Sequence, residues 1–291
     1  MGKNKMKEAI CIFDCETIPC VESLKRIYPN EYENFIKDGF RDDDFKNNPD
    51  YKLSVFAQER QFEATNSNFL PVNFHKIVCI SVVLADEFGS FLRVSNILGD
   101  EKEIINKFFS VINNNIRLIS FNGRGFDLPM IMARAMRYNL SIRAYFEVDN
   151  KNLNKSKWDG NYRSRYDGKF HLDLMDHISD FGIIRGLKLD TLCASLNLPG
   201  KFDTKGDQVM ELFYQNKLEK ISSYCQSDVL NTYWLFLKYE LLKGNLNLQD
   251  YASYLLNTKE YLEKEKSDLN YTPVFSKFID EELERIKLEI S

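Results

Sequence analysis

Residues 8–13, EAICIF, form a short apolar run that stops at the acidic stretch DCET. Such a run predicts a buried β-strand with carboxylates at its C-terminal end. Further on, the β-rich segments Lys76 to Ala85 and Ser90 to Ser95 flank Asp86-Glu87-Phe88-Gly89, the signature of a hairpin. Helix then alternates with strand. EKEIINKFFSVINN carries Ile104, Ile105, Phe108, Phe109 and Ile112 at helical spacing, and RLISFN follows it as a short strand. DLPMIMARAMRYNL is helical with Asp127 near its start, KFHLDLM is a fifth strand, and LKLDTLCASLNLPG is a helix stopped by Pro199-Gly200. Residues 217–242 read as one long amphipathic helix, with Asn216 and Glu219 placed as a capping box. Three early strands followed by strand–helix alternation predict an α/β fold, a mixed five-stranded sheet flanked by helices. The main domain is expected over residues 1–245, with residues 21–70 as an insertion of unassigned structure and 246–291 as a helical extension.

Composition narrows the class. With 44% hydrophobic and 28% charged residues, the chain is globular rather than disordered. A net charge of −4 gives no overall positive field to attract nucleic acid or anionic lipid, so such binding requires a local patch or bound cations. The longest apolar stretch, Ile77 to Ala85, falls far short of the roughly 20 residues that span a bilayer, and no membrane partner is expected. Asp14 stands where the apolar region of a signal peptide would continue, so a cytoplasmic location is expected. Six cysteines without a CxxC pair fit buried, reduced thiols. No protein partner is indicated.

Three constellations carry possible chemistry. Asp14 and Glu16 flank Cys15, and the strand period of two turns both carboxylates to one face, where they either cap structure or hold a cation. Phe121-Asn122-Gly123-Arg124-Gly125-Phe126-Asp127 lies between a strand and a helix, with glycines that allow close backbone approach and an Asp that serves as an N-cap or a ligand. Tyr224 and Asp228 sit four residues apart in the long helix and so share one edge of it.

Together FDCET, FNGRGFDLP and YCQSDVLNTY, in this order and these structural settings, resemble the three motifs of the DnaQ-like (DEDD) 3'→5' exonucleases, closest to the exonuclease domains of family B DNA polymerases. The resemblance covers roughly residues 8–245. It implies a ribonuclease H-like fold, four catalytic carboxylates in Asp14, Glu16, Asp127 and Asp228, and the tyrosine subclass through Tyr224. No polymerase domain follows, so a stand-alone nuclease is expected.

Hard oxygen ligands without a histidine or thiolate cluster suit two divalent cations, Mg²⁺ or Mn²⁺, as in two-metal phosphodiester hydrolysis. Asp14 is assigned to both ions, Glu16 and Asp228 to the ion nearer the attacking water, and Asp127 to the other. Tyr224, with an ordinary pKa near 10, is a neutral donor. Asn122, Gly123 and Phe126 are the candidate contacts of the terminal nucleotide, and His171 lies near enough to the fifth strand to reach the cleft. Between Arg134 and Lys169, nine Lys or Arg stand against four acids, interleaved with Trp158, Tyr162 and Tyr166. That mixture suits a single-strand track in which Arg163 and Arg165 meet phosphates and Trp158 or Tyr162 meets bases. The expected activity is metal-dependent 3'→5' hydrolysis of single-stranded nucleic acid, with DNA favoured over RNA by the resemblance.

Overall fold

A computed structural model describes residues 8–38, 44–113, 115–153, 155–156, 160–201 and 206–290. At its centre lies β1 (Ile10–Pro19), whose apolar residues are buried on both faces. Ile10 and Ile12 enter one core, and Cys11, Phe13 and Cys15 enter another. One side of β1 pairs antiparallel with β2 (His75–Ala85), which pairs antiparallel with β3 (Phe91–Ile97). The other side pairs parallel with β4 (Arg117–Ser120), and β4 pairs parallel with β5 (His171–Asp173). The order β3-β2-β1-β4-β5 is a mixed five-stranded sheet flanked by helices, as the sequence predicts. The β2–β3 hairpin turns where the sequence indicates: the Asp86 carboxylate accepts from the Phe88 and Ser90 amides at 3.0 and 2.9 Å, and Gly89 takes φ +96°.

The segment 21–70, unassigned from sequence, contains α1 (Val21–Ile27), α2 (Pro29–Lys37) and α3 (Pro49–Thr65). Both α2 and α3 begin with proline, where a missing amide costs nothing, and Asn48 caps α3 by accepting from Asp50 at 2.8 Å. Val21, Leu24, Leu53, Ala57 and Leu70 give them a small core of their own.

On one face of the sheet, α4 (Glu101–Asn113) buries Ile104, Ile105, Phe108, Phe109 and Ile112 beside α5 (Asp127–Arg137). These two helices are tied by an ion pair at the protein interior: the Glu101 carboxylate accepts from Arg134, from the Tyr138 hydroxyl at 2.8 Å and from the Ile77 amide at 2.8 Å. Helix α6 (Arg143–Phe146) precedes β5, and α7 (Leu174–Ile178), α8 (Leu189–Ser195) and α9 (Val209–Tyr214) follow it. The helix expected through Leu198 therefore ends at Ser195. The opposite face carries α10 (Leu218–Leu242), buried around nearly its whole circumference because α11 (Leu248–Glu265) and α12 (Tyr271–Ile290) pack over it. Tyr251, Leu255, Leu262, Tyr271, Phe275 and Ile279 share one core with Ile10, Ile12 and Val83 of the sheet. The capping box expected for α10 is absent: Lys217 holds the cap position without a side-chain bond, and Asn216 adopts φ +57°, closing the turn after α9. All six cysteines are buried and unpaired, and among the described residues no helix is long and apolar enough to cross a membrane.

Candidate active site

The carboxylates converge because β1 outruns its parallel neighbour. Strand β4 pairs only with Ile10 to Ile12, so the strand edge from Phe13 onward is open on that side. Side-chain alternation sends Asp14 toward α10, on the face used by Ile10 and Ile12. A bulge follows between Glu16 and Thr17, where a strand bends and re-aims its side chains. The parallel strands β4 and β5 both end here while β1 runs on to Pro19, and clefts form where strands of such sheets end.

Across this opening, α10 presents Tyr224, Cys225 and Asp228. The buried Cys225 thiol lies 3.5 Å from the Asp14 carbonyl oxygen and 4.0 Å from its Oδ2. One donor atom each from Asp14, Glu16 and Cys225 fall within 4.8 Å of one another. Asp127 arrives from the opposite side as the first residue of α5, and its carboxylate accepts from the Cys15 thiol and backbone. Phe126, rather than Asp127, occupies the N-cap position of α5, and the N-cap of α1 is Cys20. The capping roles open for Asp14, Glu16 and Asp127 are thus not the ones they fill.

Each carboxylate is held away from its ordinary ionisation. Burial raises the pKa of Asp14, and Asp127 and Asp228 add to the shift. Burial does the same to Glu16, reinforced by Asp14 and Asp228. Asp127 is pushed up to about 7, chiefly by burial, and Asp228 is raised for the same first reason. The buried Asp228 Oδ1 has no hydrogen-bond partner among the described residues. An orphaned carboxylate oxygen among mutually repelling acids is costly unless a cation completes it. The all-oxygen donor set fits Mg²⁺ or Mn²⁺, and burial keeps the Cys225 thiol protonated and so a poor ligand.

Two residues that no spacing rule singled out complete the site. Lys201 places its ammonium 2.5 Å from the Tyr224 hydroxyl and 3.4 Å from Asp228 Oδ2. Burial works against that charge, but Asp228, Glu16 and Asp14 outweigh it and raise the lysine pKa. Its loop is fixed by Asn231, one turn beyond Asp228, whose amide exchanges hydrogen bonds of 3.0 and 3.1 Å with Gly200. Tyr224 also bonds to Asp228, and its phenol is raised above its ordinary pKa by burial and the surrounding acids, so it is a neutral donor. Asp173, at the end of β5, is the second. It caps α7 and also accepts from the amides of Asn122 and Arg124 at 2.8 Å each, anchoring the loop before Asp127.

That loop is a packed element. A side chain at Gly123 would place its first carbon 2.5 Å from Ser120 Oγ, so glycine is required for packing against β4 rather than for approach to a ligand. Arg124 donates to the carbonyls of Tyr162, Ser164 and His171 at 3.2, 2.6 and 3.0 Å. Asn122 takes φ +66° and remains partly exposed at the rim. Phe126 stands in an aromatic group with Phe69 and His75, every pair of ring centroids 4.9 Å apart.

The other expected substrate contacts fare differently. His171 is fully buried, with Nε2 2.8 Å from Ser120 Oγ, and so touches no ligand directly in this arrangement. Tyr162 is also fully buried and donates to the Ile116 carbonyl at 2.6 Å, so it cannot stack on a base. Arg165 makes a bidentate pair with Asp176 at 2.9 and 2.6 Å, and the Arg163 guanidinium lies 5.0 Å from the centre of the Phe146 ring. Both arginines remain exposed. Trp158 lies outside the described residues.

No curated protein matches the chain. Among solved structures, a family B DNA polymerase from the hyperthermophilic archaeon Pyrobaculum calidifontis aligns over 88% of this chain at 13% identity with a TM-score of 0.44, and the chain spans 30% of that polymerase. A family model described as a predicted 3'-5' exonuclease related to the exonuclease domain of PolB matches residues 67–280. The matched span includes Asp127, Tyr224 and Asp228 and begins after Asp14 and Glu16. With most of its length in that match, the chain belongs to the family of predicted 3'-5' exonucleases related to the PolB exonuclease domain.

Proposed function

We propose that this protein is a metal-dependent 3'→5' exonuclease that removes nucleotides from single-stranded ends, with DNA favoured because the family is related to a DNA polymerase domain. The observation that carries this reading is the Asp228 Oδ1, without a hydrogen-bond partner among the described residues, within four carboxylates whose pKa values are all raised. Asp14, Glu16, Asp127 and Asp228 would hold the cations. When bound, two such ions stabilise charge on the attacking and leaving oxygens of an in-line displacement.

The remaining work falls to the chain itself. The neutral Tyr224 hydroxyl, one helical turn from Asp228, can donate to the attacking water or to a phosphate oxygen. Lys201 brings a positive charge to the same side, where a phosphate would compete with Asp228 for it. Asn122, partly exposed in the loop before Asp127, would meet the terminal nucleotide, and the exposed Arg163 would meet a phosphate of the strand. Incubating a 5'-labelled single-stranded DNA, and the same RNA sequence, with Mg²⁺, Mn²⁺ or EDTA tests the reading. A stepwise ladder on DNA that requires metal supports it. Preference for RNA would make the protein an exoribonuclease, and absence of cleavage with either metal would leave a nucleic-acid-binding fold.

A further inference from the structure

We propose that Asn231 and Asp190 are positioning residues for hydrolysis: between them they fix the peptide that joins Gly200 to Lys201, and so set where the Lys201 ammonium meets Tyr224 and Asp228. This rests on the nuclease reading above and adds the two residues that hold its lysine in place. A lysine carries a compact charge at the tip of a flexible four-carbon stem, so the placement of its backbone decides which positions the ammonium can reach. Here the tip lies 2.5 Å from the Tyr224 hydroxyl and 3.4 Å from Asp228 Oδ2.

The peptide is gripped at both of its polar atoms. Its oxygen, the Gly200 carbonyl, accepts from Asn231 Nδ2 at 3.1 Å, and its nitrogen, the Lys201 amide, donates to Asp190 Oδ1 at 3.0 Å. Because a peptide is planar, holding both atoms fixes the plane from which the Lys201 side chain departs. Asn231 Oδ1 also accepts from the Gly200 amide at 3.0 Å, and Nδ2 donates to the Ser227 carbonyl at 3.1 Å, which holds the carboxamide against its own helix. Tyr224, Asp228 and Asn231 stand at i, i+4 and i+7 of α10, along one stripe of the helix. The anchor of the lysine and both partners of its ammonium therefore ride on a single element. Asn231 is buried, and its hydrogen bonds go to Gly200 and Ser227, so its route to the reaction runs through Lys201. Asp190, in the first turn of α8, is exposed and reaches the same peptide from the other side.

The test is single-turnover digestion of a 5'-labelled single-stranded DNA by the full chain with Mg²⁺, arranged as a double-mutant cycle. At saturating protein, Asn231→Ala should lower the rate by about 10- to 100-fold, the cost of loosening a group beside a metal site, and Lys201→Ala should lower it at least as far. The doubly substituted protein should match Lys201→Ala to within about 2-fold, since without the lysine its anchor has nothing to position. A residue that only supported the fold would add its own loss in the Lys201→Ala background. Asp190 lies at the surface, so its replacement keeps the test open should Asn231→Ala fail to fold. Asp190→Ala should slow the reaction, and Asp190→Asn, which keeps an oxygen for the Lys201 amide, should recover most of that loss. Losses that multiply in the double variant, a wild-type rate from Asn231→Ala, or equal rates from the two Asp190 variants would overturn the proposal. Cleavage by the wild-type protein separates the two failures: cleavage with any of those results ends this inference alone, whereas no cleavage with Mg²⁺ or Mn²⁺ ends the nuclease reading as well.

Discussion

Replacing Asp127 by asparagine should change how the metal-free protein responds to pH. The Asp127 carboxyl has its pKa pushed from an ordinary 3.8 to about 7, first by burial, with the Asp173 charge adding and the bonds from Cys15 subtracting. Its native form holds a proton more tightly than the unfolded chain does. The corresponding stability is fully present below about pH 4 and is lost as pH rises through about 7. At about 1.4 kcal/mol per pH unit, the loss approaches about 4 kcal/mol by pH 8. For a chain of 291 residues, an unfolding entropy near 2 cal/mol/K per residue converts this to a melting shift of about 6 °C. Denaturant unfolding of wild type and Asp127→Asn in EDTA at pH 4 and pH 8 isolates the effect, because differences in shape and hydrogen bonding cancel between the two pH values. The wild type should lose up to about 4 kcal/mol more than the variant across that interval, and Mg²⁺ at pH 8 should restore stability to the wild type far more than to the variant. The same pH dependence in both proteins would refute the reasoning, since it would mean that Asp127 ionises like a solvent carboxylate.

Other substitutions probe other parts of the molecule. Asp228→Asn should abolish hydrolysis while leaving metal-free melting unchanged or raised, and a melting point lowered by several degrees in EDTA would make the group structural instead. Tyr224→Phe should cut the single-turnover rate by about 10- to 100-fold with normal metal binding, the cost of losing an orienting hydrogen bond beside a metal site; a wild-type rate would remove the phenol from the reaction. Glu101→Gln should cost about 3–5 kcal/mol in denaturant unfolding because it leaves Arg134 charged and buried, and a loss below about 1 kcal/mol would contradict the ion pair.

The sequence carried the strands and the four carboxylates because each has a local signature. The start of β1 is an apolar run, although the strand does not stop at the acids but continues through Asp14 and Glu16 to Pro19; α4 shows its five buried apolar residues at helical spacing, and Tyr224 and Asp228 meet because four residues make about one turn. What it did not carry depends on long-range packing. Lys201 follows a Pro-Gly stop and reaches Asp228 only because Asn231 pins its loop, a contact no spacing predicts. Tyr162 and His171 have the composition of a nucleic-acid track, but their rings and hydrogen bonds fill the space behind β4 and β5. The helices of residues 246–290 read as an extension because their apolar residues cannot be assigned a partner from sequence, whereas Tyr251, Phe275 and Ile279 complete the core under β1. Asn216 shows the same limit on a smaller scale: the residue that looks like the cap of α10 is used to end the turn before it.

Polarity of digestion bears most directly on the central claim. One strand labelled at its 5' end and the same strand labelled at its 3' end would be digested with Mg²⁺ by wild type and by Asp14→Asn. The account predicts a descending ladder from the 5' label, immediate release of labelled mononucleotide from the 3' label, and neither product from the variant or in EDTA. Mononucleotide released first from the 5' label, internal fragments from both strands, or undiminished digestion by Asp14→Asn would contradict it.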